Sequence, residues 1–324
     1  MRSTEPAPLP VIVNRSGGTA GRMGDDLEPK LREAFAAVGC GIDLQLCEGE
    51  AIGQAIERSA GAPVVAIGGG DGTLGQAAGK LAQAGSALGI LPLGTRNHLA
   101  LQLGIPADLT AAARIIAGSH RSRIDLARAG DRVFSNNASI GIYTHLVRQR
   151  DQRSGPKWLA TIPAAFDVLR HWRAQHFLLS IDGTTRKTKT PLLFIGNNRY
   201  SLDAGSVGTR DSLNDGRLSL YSVAAQTPFQ LLGFAVRAAL GRANPDRDFA
   251  ELADAAEVVV GGRTMIDVAF DGEVERMALP LTFAILAQAL EVMTPEPADP
   301  GKPAQTDAAL SLAARASLPY RRDV

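Results

Sequence analysis

The chain has 324 residues, of which 45% are hydrophobic and 21% are charged, a composition typical of folded globular proteins that excludes a disordered chain and an integral membrane protein. Lysine and arginine number 34 against 33 acidic residues, so the overall basic charge that gathers nucleic acid is missing and we expect no nucleic-acid partner. The length predicts two domains, while two cysteines and the lack of a signal-like apolar segment near the N-terminus predict a cytoplasmic protein.

The first part of the chain alternates between strand and helix patterns. Apolar runs predict strands over residues 9–14, 42–46, 63–67 and 87–91. Amphipathic segments predict helices over residues 27–38, 51–60, 74–84 and 109–117. Such alternation predicts an α/β domain over residues 1–127, with a parallel sheet that binds its ligand at the carboxyl ends of the strands.

The second part has the period-two alternation and turn residues of a mainly-β, sandwich-like domain over residues 128–295. Strands are predicted over residues 123–128, 133–142, 177–182, 192–196, 218–223, 258–260 and 265–270. Two helices, over residues 157–174 and 228–240, interrupt this pattern. Residues 296–324 are rich in Pro, Ala, Asp and Ser, which predicts a disordered tail.

A glycine-rich segment around one aspartate, residues 69–73, lies between a predicted buried strand and a predicted helix. Glycines let the backbone approach phosphates, and a helix N-terminus favours anions. Asp71 would repel phosphates unless Mg²⁺ or a proton lay between them, which makes it the first catalytic candidate. Taken alone, Gly-Asp-Gly is more typical of a tight turn with an aspartate N-cap.

A second glycine turn, residues 92–97, ends the next predicted strand and should lie beside the first. Together with residues 14–18, Asn-Arg-Ser-Gly-Gly, these motifs resemble the diacylglycerol kinase catalytic-domain family, whose usual pattern is Asn-Pro-x-Ser-Gly, GGDGT and PxGTxND. The chain departs from it at Arg15, where proline is usual, and at His98, where an acid is usual. His98 lacks the negative charge of the usual acid, and this difference concerns the substrate that accepts the phosphate. His98 is therefore a candidate substrate contact, and a residue packed at a helix N-terminus is an equal alternative.

The resemblance also implies the residues of the nucleotide site. Those lining the ATP phosphates would be Asn14, Ser16, Gly17, Gly18, Gly69, Gly70, Asp71, Gly72, Thr73, Leu74, Gly75, Gly94, Thr95 and Asn97. Residues 271–273 resemble the family's Asp-Gly-Glu motif, which implies Glu273 as the general base and Asp71 as a partner of Mg²⁺ or the transferred phosphate. A bare Asp-Gly-Glu is otherwise a solvated hairpin tip.

Residues 213–218 resemble a family segment that holds a structural Mg²⁺. The implied ligands are the Asp215 side chain and the carbonyls of Ser212 and Arg217. A type I′ hairpin turn at Asp215-Gly216 is an equal alternative from the residues alone.

Cationic and indole side chains concentrate around the predicted helix over residues 157–174. They are Arg148, Arg150, Arg153, Lys157, Trp158, Arg170, His171, Trp172 and Arg173. Such a surface suits anionic lipid headgroups, although a solvated helix is the slightly favoured alternative. We therefore expect a cytoplasmic protein that acts at the inner face of the membrane. A monomer and a homodimer are both compatible with the sequence.

The resemblance implies a kinase that transfers the γ-phosphate of ATP, with Mg²⁺, to a lipid hydroxyl of the diacylglycerol type, in a cleft between the two domains. Sphingoid-base and ceramide kinases are the alternatives within enzymes. NAD kinases share GGDGT, but their usual Asn-Thr-Gly continuation is missing here. A catalytically silent lipid- or nucleotide-binding homologue is the alternative from a different class.

Overall fold

A computed structural model of the chain describes residues 7–141, 175–200, 210, 212–223, 227, 230, 233, 249–262 and 264–297. The predicted helix over residues 157–174, its cationic surface and residues 298–324 lie outside the described residues, and the predicted helix over residues 228–240 lies largely outside them. The described residues up to Thr294 form one compact unit.

The first half contains the predicted parallel sheet. Its strands are β1 (Leu9–Asn14), β2 (Ile42–Cys47), β3 (Val64–Gly69) and β4 (Ala87–Pro92). They lie side by side in the order β2-β1-β3-β4, and each neighbouring pair is parallel. Helices cover this sheet, so β3 and β4 are almost wholly buried and read as continuous apolar runs.

The helices of this half are α1 (Gly18–Met23), α2 (Leu27–Ala36), α3 (Glu50–Ser59), α4 (Asp71–Ala84), α5 (His98–Gln102) and α6 (Leu109–Ala117). Helix α3 shows why they pack: Ile52, Ala55 and Ile56 recur every three or four residues, and all three are buried.

The second half is built from strands. They are β5 (Arg121–Ala129), β6 (Arg132–Phe134), β7 (Asn137–Gly141), β8 (Gln175–Ile181), β9 (Thr184–Thr190), β10 (Leu192–Asn197), β11 (Leu218–Val223), β12 (Phe249–Ala255), β13 (Glu257–Gly261), β14 (Met265–Phe270), β15 (Glu273–Ala278) and β16 (Leu281–Met293). One sheet has the order β12-β11-β10-β7-β14-β15. The other strands extend the parallel sheet of the first half into a mixed sheet, β2-β1-β3-β4-β16-β13-β8-β9, in which β5 pairs with β16 and β6 pairs with β5. The α/β plus β-sandwich-like prediction is confirmed.

Strands β5 and β16 belong to both halves. They pair with each other along most of their length, and β16 also pairs with β4 through Val292 and Leu88. In β5, Leu126 packs in the core of the first half and Ala127 in the core of the second. Residue 127, where the sequence predicts the domain boundary, therefore lies inside a continuous strand.

The predicted single strand over residues 133–142 is wrong, because the structure has two strands there, β6 and β7. They are separated by a bend at Ser135 and Asn136, whose N–H groups donate to the carboxylate of Asp271. A strand cannot use those N–H groups in its ladder as well, so the side chain of a distant residue ends the strand.

Strand β9 has no sequence signal, since its residues Thr-Thr-Arg-Lys-Thr-Lys-Thr are nearly all exposed and show no apolar alternation. Pairing with β8 along its whole length forms it. Among the described residues, none of the helices is long and apolar enough to cross a membrane.

Candidate active site

Three turns meet at the carboxyl ends of β1, β3 and β4. They are the first turn (residues 14–18), the GGDGT loop (residues 69–73) and the PLGT turn (residues 92–97). Because the strands are parallel neighbours, their carboxyl ends share one edge of the sheet. The sequence-predicted phosphate-binding residues are thus brought together.

Asn14 joins the first turn to the GGDGT loop. Its Nδ2 donates to Thr73 Oγ1 at 3.2 Å, and its Oδ1 accepts from both the N–H and the hydroxyl of Ser16 at 3.0 Å. These bonds fix the positions of two loops that are 59 residues apart in the chain. In the structure Asn14 therefore positions the turns.

The PLGT turn touches the other two turns through backbone. A Cβ atom on Gly94 would overlap the Cα atom of Gly70, and one on Gly18 would lie 2.7 Å from the carbonyl oxygen of Leu93. Gly18 also has a φ of +60°, a left-handed conformation that favours glycine. Thr19 donates its N–H to Leu93 O at 2.8 Å and completes the contact. Glycines at these positions let the three turns pack against each other.

Asn97 organises the PLGT turn from within. Its Oδ1 accepts from Gly94 N at 2.8 Å, and its Nδ2 donates to the carbonyls of Pro92 and Gly94, both at 3.2 Å. Asn97 itself has a φ of 53°, which asparagine tolerates better than most residues. Asn97, which the sequence predicts as a nucleotide ligand, therefore holds its own turn together in the structure. Thr95, another predicted nucleotide ligand of this turn, is exposed.

Asp71 is the first residue of α4, so this helix begins three residues earlier than the sequence predicts. Its two carboxylate oxygens accept from His98 N and Leu99 N, both at 3.2 Å. Those N–H groups belong to the first turn of α5. Asp71 thus anchors the next helix and is itself oriented by it, and each oxygen keeps lone-pair capacity for a further partner.

The Asp-Gly turn between β14 and β15 carries a residue to which the sequence assigned no role. Asp271 has a φ of 47°, and its carboxylate accepts from Ser135 N at 2.8 Å, Asn136 N at 2.9 Å, Asn137 N at 3.0 Å and the Ser135 hydroxyl at 3.2 Å. Burial raises the pKa of Asp271, while the bonds from the Ser135, Asn137 and Asn136 backbone oppose that rise. Its place in the Asp-Gly-Glu motif was the only available signal.

Helix α4 approaches the second half along three glycines. A Cβ atom added to Gly72 would lie 3.5 Å from Glu273 Oε1, and one added to Gly79 would lie 2.9 Å from the Cβ of Val133. At Gly75 it would lie 2.5 Å from an oxygen of Asp271. The spacing of three and four residues puts all three glycines on one helix face. The first turn of α4 therefore lies against the tip that carries Glu273.

Glu273 lies at the start of β15, with 58% of its side chain exposed. Its Oε2 accepts from Arg132 Nη2 at 3.0 Å, while Oε1 lies on the side of Gly72. The Nε atom of Arg132 lies 3.0 Å from Glu275 Oε1, which makes an ion pair but not a hydrogen bond. Arg132 thus holds one oxygen of Glu273 and leaves the other towards the GGDGT loop.

A buried polar network lies behind this site. Arg210 donates to Gln102 Oε1 at 3.0 and 2.9 Å and to the carbonyl of Ser135 at 2.6 Å. The hydroxyl of Tyr200 donates to Asn136 O at 3.1 Å. Burial raises the pKa of Tyr200 to about 12 and lowers that of Arg210.

The predicted structural metal loop lies just before β11. Asp215 is exposed and donates its N–H to Asn198 Oδ1 at 3.1 Å, while the carbonyl of Arg217 accepts from Asn198 N at 3.0 Å. The Ser212 hydroxyl donates to Asn214 Oδ1 at 2.8 Å. Within the described ranges no group of three or more His, Cys, Asp or Glu side chains could hold a metal ion. The ligand set of Ser212, Asp215 and Arg217 stays a prediction.

Comparison with known proteins agrees with this architecture. Residues 8–129 match the diacylglycerol kinase catalytic domain, and residues 143–294 match the YegS C-terminal NAD kinase beta sandwich-like domain. A Klebsiella pneumoniae (strain 342) protein named "Probable lipid kinase YegS-like" is 36% identical over 245 residues, which cover 67% of this chain and 74% of that protein. A diacylglycerol kinase of Staphylococcus saprophyticus is 26% identical over 72% of this chain and 77% of its own length.

The fold also matches a solved structure. The crystal structure of a diacylglycerol kinase from Bacillus anthracis superposes with a TM-score of 0.64 at 18% identity, over 89% of this chain and 97% of that one. Fold and sequence matches together define the class of protein as a kinase. The chain belongs to the diacylglycerol kinase catalytic-domain family, which includes the YegS-type lipid kinases.

Proposed function

We propose that this kinase transfers the γ-phosphate of ATP to the hydroxyl of a lipid of the diacylglycerol type, with Mg²⁺ as cofactor. The observation that carries the proposal is the approach of Glu273 to Gly72, where a Cβ atom would lie 3.5 Å from Glu273 Oε1: a carboxylate of the second half faces the GGDGT loop of the first. Phosphoryl transfer needs fixed phosphates, charge neutralisation and a placed base, and the two halves supply these parts at one point.

Backbone groups would hold the phosphates. Helix α4 has Gly70 as its N-cap, with no side chain capping its first turn, so its N–H groups are available to an anion. The close contact of Gly70 with Gly94 keeps side chains out of the loop surface. The Thr73 hydroxyl accepts from Asn14 Nδ2 and so keeps its proton to donate near the same edge, whereas the Ser16 hydroxyl already donates to Asn14 Oδ1.

Mg²⁺ would be held by Asp71 together with the phosphates of ATP. The donor set fits, because Mg²⁺ in such sites is bound by one or two carboxylates plus substrate phosphates and waters. When bound, the ion neutralises the charge that develops on the transferred phosphate. Asp71 would use the lone pairs that His98 N and Leu99 N leave free.

Glu273 would act as the general base. The lipid hydroxyl oxygen attacks the γ-phosphorus, the bond from that phosphorus to the β–γ bridging oxygen breaks, and ADP leaves. The hydroxyl proton passes to Glu273 Oε1, since Oε2 is held by Arg132. That arrangement orients the carboxylate without occupying the reactive oxygen.

The acceptor follows from the relatives, which are named lipid and diacylglycerol kinases. His98 is exposed beside Asp71 and could contact the acceptor. Such an acceptor lies in a bilayer, so the protein would act at the inner face of the membrane while bound there only peripherally. Sphingoid bases and ceramide are the second class of acceptor to test.

The test is transfer from γ-labelled ATP to lipids in mixed vesicles, with and without Mg²⁺. Diacylglycerol, a sphingoid base, ceramide and vesicles without acceptor form the panel. We expect labelled phospholipid only with Mg²⁺, and most of it from diacylglycerol. Tight lipid or nucleotide binding without transfer under any metal condition would instead favour the silent homologue.

A further inference from the structure

Arg210 is a buried cation, with 8% of the residue exposed, that no part of the proposed chemistry uses. Among the described residues, the acceptors of its hydrogen bonds are neutral oxygens, namely the amide oxygen of Gln102 and the carbonyls of Ser135 and Asn197. Within the described ranges no carboxylate lies within ion-pair distance of its guanidinium. Burying a charge in this way is costly, so its contacts call for an explanation.

The first contact reaches the helix that Asp71 anchors. Gln102 is the last residue of α5, and Asp71 binds the first two N–H groups of that helix. Gln102 Oε1 accepts two bonds from Arg210, and Gln102 Nε2 donates back to Arg210 O at 3.3 Å. The helix is therefore fixed at its start by Asp71 and at its end by Arg210.

The second contact reaches the bend that holds Asp271. Ser135 accepts from Arg210 through its carbonyl and donates to Asp271 through its N–H and hydroxyl. Asp271 opens the turn that carries Glu273. One residue, Ser135, thus stands between Arg210 and the turn of the proposed base.

We propose that Arg210 is a positioning residue for the transfer reaction, fixing α5 against the Ser135 bend and so fixing the carboxylate of Asp71 relative to Glu273. The inference rests on the proposed function. Arginine suits the task because its rigid, planar fork reaches two acceptors at a set angle, whereas lysine offers one point charge. The backbone of α4 packs on Asp271 without Arg210, so the fold should survive a change that loosens α5.

The test compares Arg210→Lys with Arg186→Lys, an exposed arginine of β9 that also donates to a carbonyl, that of Leu252 at 3.2 Å. We expect Arg210→Lys to lower kcat about 10- to 100-fold, with KM for ATP within about threefold, because a small misplacement of reacting groups is that costly. Arg186→Lys should match the wild type. Unchanged kcat in Arg210→Lys, or a fall accounted for by the folded fraction, would overturn the inference.

Two further measurements keep the test decisive. Gln102→Met removes only the hydrogen bonds between Arg210 and α5, and it tests the inference if Arg210→Lys does not fold. If the two residues act through the same contact, the double variant should lose little more kcat than the more damaging single variant. Losses of kcat that multiply would refute a shared contact. Amide exchange of residues 98–103 should quicken in Arg210→Lys without any substrate present, and unchanged exchange contradicts the idea. Absent transfer in the wild type refutes the proposed function, while this exchange readout still judges Arg210.

Discussion

Asp271 and Gly75 are in direct contact, with the Oδ2 atom of Asp271 only 2.5 Å from the point that a Cβ atom on Gly75 would occupy. Helix α4, which starts at the GGDGT loop, therefore meets the Asp271 side chain of the second half with only its own backbone, because Gly75 has no side chain. This contact sets the distance between the GGDGT loop and Glu273.

Replacing Gly75 with alanine should force the two halves apart. Alanine favours helix by up to about 1 kcal/mol over glycine, but a methyl group that close to a buried carboxylate overpacks the contact by about 1–3 kcal/mol. We expect lower stability in urea unfolding together with a fall in kcat. The matched control is Gly53→Ala in α3, where the new Cβ would lie 3.4 Å from the flexible ends of Gln76 and Lys80; it should be neutral or stabilising. Equal behaviour of the two variants would contradict the contact.

Glu273→Gln tests the proposed base. The amide keeps the shape and one acceptor but cannot take a proton, so kcat should fall about 10²- to 10⁴-fold, while the Kd for ATP barely changes. Glu275→Gln is the control, because Glu275 contacts the same Arg132 and should keep kcat. If ATP affinity and kcat fall together in Glu273→Gln, the glutamate holds a metal-nucleotide complex instead; full activity refutes the proposed mechanism.

Asp71→Ala should separate an anchor from a metal partner. Loss of its two backbone bonds should cost about 1 kcal/mol of stability, as at other helix N-termini, and loss of the charge should lower kcat about 10²-fold or more. Asp108→Ala removes a comparable contact, since Asp108 caps α6 by accepting from Ala111 N at 2.8 Å. It should lose similar stability and no activity. Near-normal turnover of Asp71→Ala would leave Asp71 a purely structural role.

The raised pKa of Tyr200 predicts that the folded protein loses stability at alkaline pH. Burial raises its pKa to about 12 from 10.0, so between those values the unfolded chain loses this proton while the folded chain keeps it. The resulting stability is complete below pH 10 and is lost as the pH rises through 12, by about 2–3 kcal/mol.

The variant Tyr200→Phe isolates this contribution in unfolding experiments at pH 8 and pH 12. At pH 8 it should be less stable than the wild type by about 1 kcal/mol, since the hydroxyl bond to Asn136 O is lost. At pH 12 the difference should vanish or reverse. A constant difference across this range would show that the phenol titrates alike in both states.

The sequence by itself determined the order of strands and helices in the first half and the three glycine motifs. Strands β1, β11 and β14 and helix α6 have the predicted bounds. Their signals are local: apolar periodicity marks the elements, and a glycine needs only its own turn to be recognised. The identity of the Asp71 and Glu273 candidates came from such motifs as well.

Only the tertiary structure decided what those residues contact. It turned Asp71 into the anchor of α5, Asn97 into a clamp on its own turn, and the expected strand at 133–142 into two strands bent around Asp271. The Ser135–Asp271 and Gln102–Arg210 contacts join residues 136 and 108 positions apart. Such contacts leave no periodic trace in the chain, because they arise from packing between elements rather than from the conformational preferences of neighbouring residues.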